Sequence, residues 1–383
     1  MKISPAARGL AIVVFMVMAL LGALDSQLFP LTPLQTSGLS SSSSGALRKA
    51  LFILGDSSAD CGENTLFYPI LHTNLSLLPC NGSNSTLPHF LAEKMGLPKP
   101  PAFYGQNNTI QGLLNGLNFG SAVASILLTN PNIPHFQSLN QQLRQAFDTI
   151  QLLQLQLGQS TANQFIESSI FYLSFGKDDY IHFLRHNYSS LGLKSRHSGH
   201  RFAHILVDQM MKVMRDLYDA NVRKIICVGI LPLGCAPRTV LEWRPAAAAG
   251  KNGEQGCIDE INKLVFEYNM MLKEQIFDLN RELPHMHIAF CDVYQAIKDI
   301  VADPQKYGFN DAMSACCGIG KLGAMIGCLS ASTACNQSLN HVWWDLYNPT
   351  EAVNSLLANS AWSGQQFAGM CRPMTIQDLV YAS

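Results

Sequence analysis

The sequence predicts an α/β fold: a three-layer sandwich with a central, mostly parallel sheet and helices on both faces. Two observations predict it. Four short, continuously apolar runs lack the alternation of a half-exposed strand: ALFILG (50–55), IFYLSF (170–175), KIICVGI (224–230) and HIAFCD (287–292). Strands buried on both faces read this way. Longer stretches with apolar residues at helical spacing stand between them, and strands alternating with helices make a parallel sheet. The 383 residues are 48 % hydrophobic and 14 % charged, enough for one well-cored domain and against disorder.

In chain order, residues 1–25 have Lys2 and Arg8 ahead of an apolar run of about a dozen residues and then small residues, which is the grammar of a secretory signal peptide. The run is short for a membrane span of roughly 20 residues. No later stretch qualifies, so no integral span is expected in the mature chain. Residues 26–48 are polar, with serines at 40–44, and read as a flexible lead-in. Residues 49–375 read as a single domain. After the first strand at 50–55, helices are expected over 139–157, 201–220, 257–283 and, last, 350–359. The segment 243–256, WRPAAAAGKNGEQG, reads as a surface loop. The formal charge of −1 gives no field to attract nucleic acid.

N-x-S/T sequons at Asn74, Asn81, Asn84, Asn107, Asn187 and Asn336 suit a secretory route. Eleven cysteines leave at least one unpaired within the chain. Cys227 and Cys291 sit in strand-like runs and read as buried thiols. Cys235 and Cys257 flank a loop, and Cys316, Cys317, Cys328 and Cys335 cluster; disulfides are expected there. The cluster lacks paired C-x-x-C spacing and a histidine close in sequence, so no metal or other cofactor is expected.

Ligand chemistry in such folds gathers at the carboxyl ends of the strands. The first strand runs into Gly55-Asp56-Ser57, where a serine entering a turn meets backbone N–H groups that favour developing negative charge. A G-D-S triplet alone is equally an ordinary turn. It is followed by GLNFGSAVAS (116–125), LSFGKDDYI (173–181), VGILPLGC (228–235), YGFNDAMSACCGIG (307–320) and WWDLYNPTEAVN (343–354). In order and spacing these resemble the plant-type secreted GDSL esterase/lipase family of SGNH hydrolases, from about Leu51 to Asn359.

The resemblance implies an SGNH/flavodoxin-like sandwich and hydrolysis of an acyl ester or lipid-like small molecule without a cofactor. It implies Ser57 as nucleophile, with backbone oxyanion donors at Ser57 and near Gly120–Ala122. The family writes consecutive glycines in that second motif, where this chain has Ala122 and Val123. The family's G-x-N-D motif, whose asparagine is the side-chain oxyanion donor, reads Gly176-Lys177-Asp178-Asp179. Its D-x-x-H-P motif reads Asp345-Leu346-Tyr347-Asn348-Pro349, so Asp345 takes the acid position and Asn348 the position of the base.

Both departures fall on catalytic positions. An amide accepts a hydrogen bond but not the proton that Ser57 must lose. Removing one triad member leaves about 10³–10⁴-fold over water in known cases. An ionised Asp178 offers no N–H to an oxyanion, and losing one such donor costs about 10²–10³ in rate. A buried Asp178 kept neutral by its neighbour Asp179 would still donate, while an inward Lys177 would oppose that. The aligned position of Asp178 faces the oxyanion rather than the serine hydroxyl.

Substitute bases are few. His182 lies shortly after Asp178 and is the more plausible substitute, although it reads more readily as a partly exposed helix histidine. His341 is four residues from Asp345, roughly 13 Å along a strand. His200 and His204 have the i, i+4 spacing that can hold a metal on a helix, but no third ligand is evident, and a solvated face is expected. Residues 74–90, where relatives open toward substrate, carry three sequons and Cys80 and suggest a reshaped, glycosylated mouth. Two functions compete: a serine-type ester hydrolase using a substitute base, and an impaired hydrolase fold that retains an acyl or ester pocket. The two catalytic departures favour the second.

Overall fold

The computed structural model describes residues 49–60, 85–106, 109–122, 124–127, 137–191, 196–243, 256–328 and 334–382. The expected leader and lead-in, residues 74–84 of the 74–90 mouth segment and most of the 243–256 loop lie outside them.

Strand β1 (Leu51–Gly55) is buried along its whole length. Helix α1 (Leu87–Lys94) follows, then α2 (Leu139–Leu157) and α3 (Gln159–Ser168). Ser138 starts α2 by accepting the Gln141 N–H, and Gln141 returns the bond, which is a capping box. Strand β2 (Ile170–Ser174) is buried throughout and pairs in parallel with β1, from Leu51 opposite Ile170 to Gly55 opposite Ser174. Helices α4 (Lys177–Leu191) and α5 (Arg196–Asp219) lead to β3 (Lys224–Val228), parallel to β2. Helix α6 (Pro237–Trp243), then α7 (Asp259–Glu282), which packs along α5, lead to β4 (His287–Cys291), parallel to β3. Helix α8 (Val293–Ala302) precedes a separate two-stranded parallel pair, β5 (Asp311–Ala315) and β6 (His341–Trp343). Helix α9 (Glu351–Ser363) packs on α1.

The helix expected to be last, over 350–359, is not the last element. Strand β7 (Cys371–Arg372) adds to β4 antiparallel, and α10 (Ile376–Tyr381) buries Ile376, Leu379 and Val380 beside β3 and β4. Two and six residues are too short to carry a legible period.

The site is placed by the other edge of the sheet. Residues 117–121 run alongside β1 on the side away from β2: Ile53 N–H donates to the Leu117 carbonyl at 2.9 Å, Phe119 N–H to Ile53 at 2.8 Å and Ser121 N–H to Gly55 at 3.1 Å. The bridge at Ile53 and Asn118 is parallel. Strand order therefore reverses at β1, with the 117–121 segment on one side and β2 on the other. In a doubly wound sheet the crevice at such a switch point, beyond the carboxyl ends, receives the ligand. Gly55, Asp56 and Ser57 sit at that end of β1.

Four disulfides join described residues: Cys235–Cys257, Cys291–Cys371, Cys316–Cys335 and Cys317–Cys328. Cys291 is therefore not the buried thiol expected of it. Its partner stands directly opposite on β7, 80 residues on, where no local pattern points. Cys227 is a buried free thiol, and burial pushes its pKa upward. Cys61 and Cys80 are outside the described residues.

Candidate active site

The turn after β1 is built around Gly55. A Cβ there would lie 2.4 Å from Ala59 Cβ and 2.9 Å from the Ser174 carbonyl oxygen, so no larger residue fits where β1 meets β2. The Gln142 side chain, from α2, accepts the Gly55 N–H and donates to the Gly55 carbonyl, each at 2.9 Å. Asp56 is fully buried; its Oδ1 accepts the Ser58 N–H at 2.9 Å and its Oδ2 the Asp178 N–H at 3.3 Å. That pins the serine turn to the first turn of α4.

Asp178 enters from the next strand. Gly176, at φ +106, swings the chain from β2 into α4, and Asp178 and Asp179 stand in the helix's first turn, where negative charge is favoured. The Asp178 carboxyl takes both donors of Ser57: the hydroxyl at 2.5 Å through Oδ1 and the backbone N–H at 3.0 Å through Oδ2. The carboxyl thus faces the serine hydroxyl, contrary to the sequence expectation, and covers the N–H meant for an oxyanion. Its pKa is pushed up to about 7, first by burial and then by the charge of Asp56; Lys177 and the two bonds from Ser57 pull it down. The residue as a whole keeps some surface, but its carboxyl is walled in, so desolvation leads. Asp179, the neighbour expected to raise Asp178, turns away. It accepts the Ser125 hydroxyl at 2.5 Å and the Ile126 N–H at 2.9 Å, and burial lifts its own pKa to about 6.

The other expected oxyanion donors are also engaged. Gly120 N–H donates to Asn118 Oδ1 and Ala122 N–H to Asp60 Oδ2, each at 2.9 Å. Ala122 is therefore held against the loop after Ser57, with its N–H committed inside the chain.

Asp345 and Asn348 come together beyond β6. Asp345 Oδ1 accepts the N–H groups of Tyr347 at 2.9 Å and Asn348 at 2.8 Å, and its Oδ2 accepts Asn348 Nδ2 at 3.0 Å. Trp344 N–H donates to the Asn348 carbonyl at 2.8 Å, closing the loop before Thr350 caps α9. On its other side, Asn348 Oδ1 accepts a bond from Lys177 Nζ. Lys177 is only 2 % exposed. A buried ammonium, an amide and a carboxylate thus form a chain, and Ser57 and Asn348 are bound to adjacent residues, Asp178 and Lys177.

The model of the GDSL-like Lipase/Acylhydrolase family matches residues 51–361. The chain belongs to this family. A GDSL esterase/lipase of Arabidopsis thaliana is 31 % identical over 326 residues, covering 82 % of this chain and 85 % of the relative. GDSL esterase/lipase 7 of the same plant is 28 % identical over 348 residues, covering 87 % of this chain and 92 % of its own. A third, also from Arabidopsis thaliana, is 30 % identical over 344 residues, covering 86 % of this chain and 85 % of the relative.

In this GDSL chain, both hydrogen bonds that Ser57 makes among the described residues go to Asp178. His182 is exposed on α4. His341 Nδ1 donates to the Gln337 carbonyl, 3.1 Å away, and its Nε2 lies 3.8 Å from Asp311. Against the expectation of no close histidine, His341, six residues after Cys335, reaches the cysteine cluster: its Nδ1 is 3.7 Å from Cys335 Sγ. Cys316, Cys335 and His341 place three donor atoms within 4.8 Å, but both sulfurs are consumed by their disulfide. Of the sequons, Asn336 is exposed on a turn, while Asn74, Asn81, Asn84 and Asn107 are outside the described residues, and of Asn187 only its place in α4 is described.

Three participants were missed from the sequence: Asp56 as the main charge on Asp178, Lys177 as the partner of Asn348, and Asp60 as the acceptor for Ala122. Asp56 and Lys177 directly precede Ser57 and Asp178, so adjacency was the available signal. Asp60 had none.

Proposed function

We propose that this chain is a secreted GDSL family member that binds an acyl ester or lipid-like small molecule at the Ser57 site but hydrolyses it poorly or not at all. The observation that carries the reading is the Asp178 carboxyl, which holds the hydroxyl and the N–H of Ser57 together. Attack on an ester needs the hydroxyl proton to leave and a donor to meet the new oxyanion. Here a carboxyl stands where that oxygen would form, and Asn348 accepts no proton. Support for secretion comes from the leader grammar of residues 1–25, the sequons including exposed Asn336, and four disulfides. Among the described residues no helix is long and apolar enough to cross a membrane. On this reading a single domain begins at residue 49.

One observation favours a second reading. A carboxyl with a pKa near 7, 2.5 Å from a serine hydroxyl, has the reach and the affinity of a general base. Asp178 would then be the substitute base. Turnover of p-nitrophenyl butyrate separates the two. The impaired reading expects a trace rate that Ser57→Ala leaves unchanged and Asp178→Asn raises. A rate that climbs through about pH 7 and vanishes in both variants would establish Asp178 as the base.

A further inference from the structure

Helix α5 carries His200 and His204 one turn apart on an exposed face. Their Nε2 atoms lie 3.1 Å apart, with ring centroids at 4.6 Å and planes nearly perpendicular at 82°. His200 Nδ1 is bonded to Glu267 Oε1, from the neighbouring helix α7. A carboxylate only accepts, so it selects the His200 tautomer with hydrogen on Nδ1. The Nε2 lone pair then accepts a hydrogen bond from His204 Nε2, the bond a metal ion would replace.

We infer that His200 and His204, oriented by Glu267, form a binding site for a divalent transition-metal ion of the zinc type. Two nitrogens each about 2.0–2.1 Å from one ion and 3.1 Å apart subtend about 100°, between octahedral and tetrahedral values. Imidazole suits zinc and copper, whereas calcium and magnesium take oxygen ligands. Two protein ligands leave the remaining positions to water or another small donor. The sequence suggested a solvated face because no third group was evident. That group stands 67 residues from His200, on another helix, and it orients a ligand rather than completing the set. The carboxylate–histidine–metal arrangement is a recurring way to fix an imidazole.

The site shares α7 with the scaffold of the ester loops. Tyr268, next to Glu267, donates to the Phe175 carbonyl at 3.3 Å, and Asn269 holds both backbone groups of Ile230 at 2.8 Å. The His200–Glu267 bond joins α5 to this helix, and a bound ion stabilises the folded chain by linkage. The inference does not rest on the function proposed for Ser57.

The test is calorimetric titration of the untagged full chain, stripped with chelator, at pH 7.5. One Zn²⁺ per chain is expected, with Cu²⁺ bound more tightly and Ca²⁺ not competing. His204→Gln and His200→Gln should each weaken Zn²⁺ by tenfold or more, and Glu267→Gln by about tenfold. Zn²⁺ should raise the melting midpoint of the wild type but not of the doubly substituted His200→Gln/His204→Gln chain, whose metal-free melt verifies its fold. Absence of Zn²⁺ binding, undiminished binding by the double variant, or equal competition by Ca²⁺ would overturn the assignment.

Discussion

The loop at Asp345–Pro349 and the turn at Ser57 each meet a substituted residue, and they respond differently. At Asn348 the substitution keeps the local shape. Asp345 still receives two backbone N–H groups and a side-chain N–H from residue 348, all at 2.8–3.0 Å. An amide N–H serves the acid as an imidazole N–H would; only the ability to accept a proton is gone. At Asp178 the substitution reverses polarity. An ionised carboxylate has no donor, so it turns to the nearest donors and takes both of those on Ser57. One loop is closed by an amide hydrogen-bonded to its carboxylate; the other is closed by a carboxyl that takes both donors of Ser57.

If the contrast is right, repair should work at both places. The largest expected effect is in the double variant Asp178→Asn/Asn348→His, which restores a donor and a proton acceptor together. Ser57-dependent turnover of p-nitrophenyl butyrate should rise about 10³-fold or more over wild type. A folded double variant no faster than wild type would place a further lesion at the committed N–H groups of Gly120 and Ala122.

The next effect is a pH dependence of stability confined to the serine side. Asp178 and Asp179 have pKa values raised to about 7 and about 6, so between about pH 4 and 7 the folded chain binds more protons than the unfolded one. The stability these groups contribute is present below about pH 4 and is lost as pH rises through 6 to 7. Urea unfolding at pH 5 and pH 7.5 should show a loss of about 4 kcal/mol at most toward the higher pH. Asp178→Asn should flatten the slope; an unchanged slope would remove Asp178 as its source.

A smaller effect is expected at the conserved-shape loop. Asp345→Ala leaves the N–H groups of Tyr347 and Asn348 without their acceptor and should cost about 1–3 kcal/mol in the same assay. A cost below about 0.5 kcal/mol, the usual range of surface changes, would mean that the loop is held by Lys177 and the backbone instead. The smallest effect concerns Ser57→Ala, which removes one donor from Asp178. Its melting midpoint should stay within a few degrees of wild type, and the trace hydrolysis should not change.

Parts of this were legible in the chain itself. Strands β1–β4 and helix α2 show because burial on two faces, or on one stripe, writes a local pattern. Gly55-Asp56-Ser57 shows because a turn after a buried strand has local chemistry. The disulfide partner of Cys291 and the edge segment at 117–121 do not show, because their partners are distant in sequence and each segment is short. Asp178 was identified by position but given the wrong direction, since the side on which a carboxyl finds donors depends on what the neighbouring strand places there.

By itself, the order of residues determined the buried strands, the helices between them, the serine at a strand's end and the amide where a base would stand, because each is a property of one residue or of near neighbours. Only the folded chain decided that strand order reverses at β1, that Asp178 closes on Ser57 while Asp179 turns away, and that Glu267 reaches His200. Those are contacts between side chains whose separation is set by the register and packing of elements far apart along the chain.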